Sequence, residues 1–319
     1  MHKFITAAAL AVSMLSPAFA ADNLVVYSAG PKPLSGALAK AFTAKTGIDV
    51  DLFQSTAGKV MARYEAEKSN PQVDVIVSAA WGHAITLAEK DELVSYTSPN
   101  AANVPNSLKT ENYVAQGAAA IAIAYNTNSN LPVPSNWSDL TKPEYKGQVT
   151  MPDPSASGAA LTLLQGLLSQ DSDAAWELFK GLKANDMIVP GANNAALNPV
   201  LQGAKGAVFG AVDYIALGSK AKGEAIDVIY PSEGTVLAPR PMMILKSSDN
   251  QSAAKQFIDF VLSEEGQAMV SDQLILPART DIKAQRPGYD ELNIIDFDQV
   301  QAAKSAAADK AEFTELMGL

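Results

Sequence analysis

Four short stretches of small and hydroxyl-bearing residues are the part of this sequence best suited to chemistry. They are Ser28-Ala29-Gly30, Ser55-Thr56-Ala57-Gly58, Ser78-Ala79 and Ser155-Ala156-Ser157-Gly158. Each follows a strand-like run and precedes a helix-like pattern. Free backbone N–H groups at a helix start, aided by the helix dipole and by hydroxyl groups, bind phosphate or carboxylate. Serine and threonine are also preferred helix N-caps, so a capping role stays open for each stretch.

The second stretch raises the question of a nucleotide-binding loop, because Gly58 is followed by Lys59. The pattern G-x-x-x-x-G-K-[ST] requires glycine at position 53 and serine or threonine at position 60. This sequence has Phe53 and Val60 instead, so the phosphate cradle and the magnesium-binding hydroxyl are both missing. Lys59 is then either a ligand contact or a solvated lysine in the first turn of a helix.

A second group of candidate residues lies in the later part of the chain. Asn193 precedes a predicted helix, Asp213 and Tyr214 follow the predicted strand 207–211, and Glu233 follows a strand that ends at Tyr230. Carboxylates at strand ends accept hydrogen bonds from ammonium groups or sugar hydroxyls. We therefore predict that Asp213 and Glu233 point into a ligand cleft. Capping or surface roles are the alternatives.

The sequence lacks the motifs that an enzymatic function would require. No G-x-S-x-G is present, and His83 is the only histidine after the N-terminal segment, so a Ser-His-Asp site has little to build on. Matches to S-x-x-K, S-D-N and K-T-G occur in the wrong order along the chain for a β-lactamase. Ligands for a tetrahedral zinc site are lacking. We predict no catalytic residue, no metal and no cofactor, with a secreted hydrolase as a remote alternative.

The elements that position these residues alternate between strand and helix. Strands at 24–28, 48–53 and 73–77 are separated by helical patterns, which predicts parallel strands joined by crossover helices. In such sheets ligands bind where strands end and helices begin. We predict an α/β protein of two lobes, with residues 21–126 and 246–319 in lobe 1 and 127–245, including a second crossing near Pro239-Arg240-Pro241, in lobe 2.

The N-terminus predicts export. Lys3, the apolar run 4–15 and the ending Pro17-Ala18-Phe19-Ala20 are typical of a signal peptide, so residues 1–20 should be removed by cleavage after Ala20. The chain has no cysteine, which excludes disulfides and thiol catalysis. Its formal net charge of -10 argues against nucleic acid as a partner.

Taken together, these segments resemble a known family. The signal peptide, LVVYSAG, FQSTAGKVMARYEAE, VDVIVSA, QVTMPDPSASGAA, GAVFGAVDY and FIDFVLSEEGQAMV are similar to the periplasmic substrate-binding proteins of ABC importers. The subfamily includes binders of ferric ion, 2-aminoethylphosphonate and sugar phosphates. The resemblance implies a type II periplasmic-binding-protein fold, with two lobes on a two-strand hinge, a periplasmic monomer and an inner-membrane ABC permease as partner.

The resemblance also implies a ligand site. Ser155, Ser157, Gly158 and Ala159 match the anion site of the ferric members, but the tyrosine pair that binds iron is replaced by Asp213-Tyr214. Iron still has oxygen ligands available in Asp213, Tyr214 and Glu233, so ferric iron stays the alternative. A small organophosphorus anion fits better. Ser55 and Thr56 would hold the phosphonate or phosphate together with the anion site of the second lobe, and Asp213 and Glu233 would hold an amine or hydroxyl end. Further candidate ligand-binding residues are Ser28, Ala57, Gly58, Ser78, Asn193 and Tyr214.

Overall fold

The computed structural model describes residues 23–319, so the predicted signal peptide lies outside the described residues. The strands are β1 (Leu24–Ser28), β2 (Val50–Gln54), β3 (Val75–Val77), β4 (Tyr113–Asn126), β5 (Val149–Thr150), β6 (Ala207–Val212), β7 (Ile226–Ile229), β8 (Leu237–Ile244) and β9 (Leu276–Pro277). The helices are α1 (Lys32–Thr46), α2 (Ala57–Ala66), α3 (Trp81–Glu89), α4 (Gly158–Gln170), α5 (Ser172–Ala184), α6 (Asn193–Leu201), α7 (Asp213–Ala221), α8 (Gln251–Val261), α9 (Glu264–Asp272) and α10 (Gln299–Met317).

The predicted parallel arrangement of the first three strands is confirmed. β1 pairs in parallel with β2 and with β3, while α1 and α2 provide the crossovers. α1 ends where Gly47 adopts a φ of 75°, a left-handed conformation that glycine enters without steric penalty. The carboxyl ends of β1, β2 and β3 therefore lie along one edge of the sheet, followed directly by helix starts.

Two long strands, β4 and β8, join the two halves of the chain. The sheet order is β2-β1-β3-β8-β4-β6-β5, with β4 next to β8. The first part of β4 pairs with β8, and its last part pairs with β6 and β7. Pro239 and Pro241 do not interrupt β8 but lie within it, where they remove two N–H donors. We call β4 and β8 the hinge strands.

Separate hydrophobic cores lie on either side of the hinge strands. One contains Leu24, Phe42, Ile76 and Trp81 together with residues of α8, and the other contains Trp137, Phe179 and Phe209. Edge-to-face and tilted contacts between aromatic rings occur in both cores. In the first core, for example, the ring centroids of Phe42 and Phe257 are 5.3 Å apart. Each lobe thus has its own apolar interior, and the polar residues between the lobes are left to form a site.

The C-terminal helix α10 contacts both halves of the molecule. Ala303 lies against Gly82 of α3, whereas Phe313 and Met317 are buried in the second core. The sequence interpretation placed residues 246–319 in lobe 1. The lobe boundaries stay a prediction, and α10 packs against both hydrophobic cores. Among residues 23–319, no helix combines the length and apolar character needed to cross a membrane.

Candidate ligand-binding cleft

A cleft of about 690 Å³ opens between the two halves of the molecule. Its walls are the loops and first turns that precede helices: 29–33 before and within α1, 54–57 at α2, Ala79 before α3, 156–158 at α4, 192–194 at α6, and parts of α7 from Tyr214 to Lys222. Helix N-termini carry partial positive charge and unpaired N–H groups. Their convergence makes the cleft suited to a small anion.

The first wall is built on the start of α2. Ser55, Thr56 and Ala57 line the cleft, and the Thr56 hydroxyl accepts a hydrogen bond from the Lys59 N–H at 3.4 Å. The first intrahelical bond runs from Val60 N–H to the Thr56 carbonyl at 2.9 Å. The N–H groups of Ala57 and Gly58 come before that bond and have no acceptor within the helix. Thr56 therefore caps α2 while this end of the helix offers further donors.

The opposite wall is built on the start of α4. Ser157 caps α4 by accepting the Ala160 N–H at 3.2 Å, and its own hydroxyl donates to Asn193 Oδ1 at 2.7 Å. Because Asn193 Oδ1 is the acceptor of that bond, the Asn193 amide N–H₂ is left as a donor. The first intrahelical bond of α4 runs from the Leu161 N–H to the Ser157 carbonyl at 3.1 Å, so the N–H groups of Gly158 and Ala159 have no acceptor within the helix. Gly158 and Asn193 line the cleft, whereas Ala159 is buried just behind it.

The two walls touch each other at two glycines. A Cβ placed on Gly58 would lie 2.8 Å from the Ser155 carbonyl oxygen. On Gly158 it would lie 2.6 Å from both the Ala79 oxygen and the Ala80 Cβ. Both distances are below van der Waals contact, so only glycine allows this approach. The sequence stretches predicted to share a site are therefore brought together across the cleft.

The cleft carries positive rather than negative charge. Lys32 and Lys222 line it, and no aspartate or glutamate does so in the part of the chain that the structure describes. Tyr214 also lines the cleft, and burial together with Asp213 raises the pKa of its phenol, while Arg240 acts in the opposite direction. In a chain of net charge -10 this local excess of cations favours an anionic ligand.

Asp213 requires a correction, because it does not point into the cleft. Its side chain is fully buried and forms an ion pair with Arg286. The carboxylate also accepts the N–H of Ala120 at 3.0 Å, the N–H of Tyr214 at 2.7 Å and the hydroxyl of Tyr230 at 3.2 Å. Burial raises the pKa of Asp213 to about 6, although Arg286 and the N–H groups lower it. Its hydrogen-bonding capacity is used within the protein and not on a ligand.

Other predicted residues lie beside the cleft or away from it. Glu233 is exposed and accepts a hydrogen bond from the Ser138 hydroxyl at 3.1 Å, so it also requires a correction. Ser28 is buried under the floor, where its oxygen accepts the N–H of Gly30 at 3.0 Å. Ser155 is exposed and contributes its backbone to the contact with Gly58.

Ser78 and His83 form a hydrogen-bonded pair behind the cleft lining. Ser78 is 1% exposed, its oxygen lies 2.8 Å from His83 Nδ1, and it accepts the Ala80 N–H at 3.1 Å. Burial, helped by the charge of Lys310, lowers the pKa of His83 to about 4. Ser78 therefore orders the turn that leads into α3, behind the cleft-lining Ala79.

Sequence reasoning missed the cationic residues of the site. Lys32 occupies the first turn of α1 and Lys222 follows α7, and neither lies in a recognisable motif. Arg240 drew attention only through its two flanking prolines, yet it contacts Ala29 and Tyr214 at the floor of the cleft. The one signal available was its place at the predicted crossing between the lobes.

Comparison with known proteins gives a consistent result. The family model of the bacterial extracellular solute-binding protein matches residues 70–303. A putative 2-aminoethylphosphonate-binding periplasmic protein of Salmonella typhimurium is 27% identical over 260 residues, which cover 78% of this chain and 75% of that protein.

Two solved structures extend the likeness to the fold. The periplasmic binding protein AfuA of Actinobacillus pleuropneumoniae, with fructose-6-phosphate bound, has a TM-score of 0.86 at 25% identity and covers 93% of this chain and 99% of its own. Iron-bound HitA of Pseudomonas aeruginosa has a TM-score of 0.81 at 24% identity, with 91% and 99% covered. The predicted two-lobed, type II α/β fold is confirmed.

Proposed function

The chain belongs to the bacterial extracellular solute-binding proteins, and on that premise we propose that its cleft captures a small phosphomonoester such as a sugar phosphate. The chain is thus the solute-binding component of an ABC importer. The observation that carries the choice of ligand is the meeting of helix starts from both lobes over a cleft lined by Lys32 and Lys222, without a carboxylate among the described lining residues. Phosphate is the group that such helix ends hold best.

The cleft also carries side chains suited to the hydroxyl groups of a sugar. Gln54, Asn193, Asn194 and Ser219 line it, and their amide and hydroxyl groups both donate and accept hydrogen bonds. An ammonium group needs acceptors, and carboxylates are the strongest of these. With Asp213 paired to Arg286 and Glu233 exposed elsewhere, the cleft favours a sugar phosphate over 2-aminoethylphosphonate.

Ferric iron receives less support from the same residues. Hard ferric iron requires several anionic oxygen ligands. Tyr214 has its phenol pKa raised by burial, which disfavours the phenolate, and Asp213 is held by Arg286. Within residues 23–319, no group of three or more His, Cys, Asp or Glu side chains is placed to hold a metal ion.

Calorimetric titration of ligand-stripped protein tests the proposal. Fructose 6-phosphate should bind, free fructose should not, and 2-aminoethylphosphonate should bind more weakly. Thr56→Val removes a hydroxyl that lines the cleft, and Ser157→Ala removes the hydroxyl that orients the Asn193 amide, so each should weaken binding of the phosphomonoester by about 10-fold. Heat only with ferric citrate, with a visible phenolate absorption band, would refute the proposal.

The remaining aspects of the function follow from the same role. We infer that the mature chain begins at Ala21, acts as a monomer in the periplasm and presents its closed form to an inner-membrane ABC permease. Its relatives are binding proteins, and the Ser78–His83 pair lies outside the cleft lining, so neither supports a hydrolytic role. The intact mass of protein recovered from the periplasm tests the cleavage site, and light scattering tests the monomer.

A further inference from the structure

Arg240 lies at the point where both lobes and the hinge meet. It belongs to the hinge strand β8, and only 3% of the residue is exposed. Its Nη2 donates to the carbonyl of Ala29 at 2.6 Å, and its guanidinium lies 6.0 Å from the ring centroid of Tyr214. Ala29 and Tyr214 line the cleft from opposite sides. Arg240 is therefore a buried cation directly beneath the cleft floor.

The charge of Arg240 has no partner of opposite sign in the described chain. The other arginines there pair with carboxylates: Arg63 with Glu67, Arg279 with Asp281, and Arg286 with Asp213. Arg240 has no carboxylate within the 4.0 Å range of an ion pair, and its buried Nε has no hydrogen-bond partner. A buried charge is costly unless it is paired and hydrogen-bonded, so this arrangement is complete only when an anion binds nearby.

We propose that Arg240 supplies the counter-charge for the ligand and makes the cleft selective for a dianionic phosphoryl group. This inference rests on the proposed function and deepens it. Gly30 lines the cleft, and a Cβ added to it would point at the buried Ser28 and Ser35 hydroxyls and lie 3.8 Å from Arg240 Nη2, so the guanidinium lies directly behind the backbone of this cleft-lining loop. The guanidinium is a planar fork that keeps its positive charge throughout the physiological pH range, and a phosphomonoester is mainly a dianion at neutral pH, so the two charges attract each other across the cleft floor.

Arg240 also connects ligand capture to lobe closure. It contacts Ala29, from the loop after β1, and Tyr214, from α7 of the other half of the chain. An anion bound at this position therefore interacts with both lobes through one side chain. A ligand stabilises a closed form only through interactions that are stronger in that form than in the open one, and a counter-charge shared by both lobes has this property.

The test combines Arg240→Met, which removes the charge, with Arg240→Lys, which keeps it but removes the fork. Lys59→Gln is the matched control, because Lys59 is exposed and outside the cleft lining. Arg240→Met should weaken binding of fructose 6-phosphate by about 100-fold, with a smaller loss for Arg240→Lys and none for Lys59→Gln. Without ligand, the melting temperature of Arg240→Met should stay unchanged or rise, because a buried unpaired charge is gone.

The pH profile separates a charge role from a structural one. Wild-type affinity for fructose 6-phosphate should fall between pH 7.5 and 5.5, as the phosphate gains its second proton near pH 6, and Arg240→Met should flatten this dependence. The proposal would be overturned if Arg240→Met bound fructose 6-phosphate with wild-type affinity at every pH. It would also be overturned if the substitution lowered the melting temperature of the ligand-free protein as much as that of the liganded protein.

Failure of the proposed function gives a different pattern. In that case wild-type protein binds no phosphomonoester. The role of Arg240 is then decided by the ligand-free melting temperatures and by sulfate, which is a dianion throughout this pH range. Sulfate should stabilise wild-type protein and not Arg240→Met; equal stabilisation of both would reject the counter-charge.

Discussion

Substitution of Gly158 by alanine should impair ligand binding while leaving the unliganded fold intact. The added Cβ would lie 2.6 Å from the Ala79 oxygen and from the Ala80 Cβ, whereas such atoms require about 3.5 Å or more. The walls of the cleft would have to separate by about 1 Å, or accept overpacking that costs about 1–3 kcal/mol. That penalty corresponds to a loss of affinity of about 5- to 150-fold.

The penalty should fall on the form in which the two walls touch. Alanine is a better helix former than glycine by up to about 1 kcal/mol, and Gly158 is the first residue of α4. The melting temperature of ligand-free Gly158→Ala should therefore equal or exceed that of the wild type. Calorimetry measures the affinity, and the radius of gyration from X-ray scattering measures closure. Gly58→Ala should behave similarly, because its Cβ would lie 2.8 Å from the Ser155 oxygen.

The matched control is Gly36→Ala, an exposed position in α1 where an added Cβ has no neighbour within 4 Å. Affinity and closure should be unchanged in this variant. If Gly158→Ala binds and closes like the wild type, the contact between the walls does not form during ligand capture. If its ligand-free melting temperature falls markedly, the glycine serves packing within its own lobe instead.

Two further predictions concern buried charges. Asp213→Asn should lower the free energy of unfolding, measured in urea, by about 3–5 kcal/mol, because Arg286 loses its partner. The double variant Asp213→Asn, Arg286→Met should recover much of this loss. An equal loss in the single and double variants would contradict the pairing. The His83 pKa of about 4 lies below the unfolded value of about 6.5, so the unfolded state binds more protons between these values. The stability that neutral His83 contributes is thus present above pH 6.5 and is lost as the pH falls towards 4, by at most about 3 kcal/mol. His83→Gln should reduce this loss in thermal melts recorded across that pH range. An unchanged pH profile in the variant would contradict the assignment.

Much of the fold could be predicted from local patterns. The alternation of apolar strands and amphipathic helices placed β1 at its observed bounds and the strand 207–211 within one residue of β6. The first part of β4 carries no such signal, because its residues from Tyr113 on are buried on both faces and show no alternation. The helix starts were visible because serine, threonine and glycine mark them in the sequence itself.

The chemistry of the site was only partly predictable, because it depends on distant partners. Ser55 and Ser157 could be assigned from their local position, since a residue after a parallel strand lies at the ligand edge. The role of Asp213 is decided by Arg286, which follows 73 residues later in a segment without a motif. The role of Arg240 is decided by the absence of such a partner among the described residues, which no local pattern reveals.

The prolines of the hinge strand bear on how tightly any ligand is held. Pro239 and Pro241 lack N–H groups, and the pairing of β4 with β8 shifts register between Ala115 and Ala118. The register shift interrupts the ladder between β4 and β8, and the prolines leave positions without an N–H on the side that faces β3, where the Pro241 carbonyl accepts the Ser78 N–H at 2.9 Å. Both features lower the resistance of the crossing to bending. The apparent affinity of a binding protein is its intrinsic affinity multiplied by the fraction of ligand-free molecules already competent to bind. The flexibility of the backbone at this crossing therefore affects the apparent affinity through that fraction, without any change to the residues of the cleft.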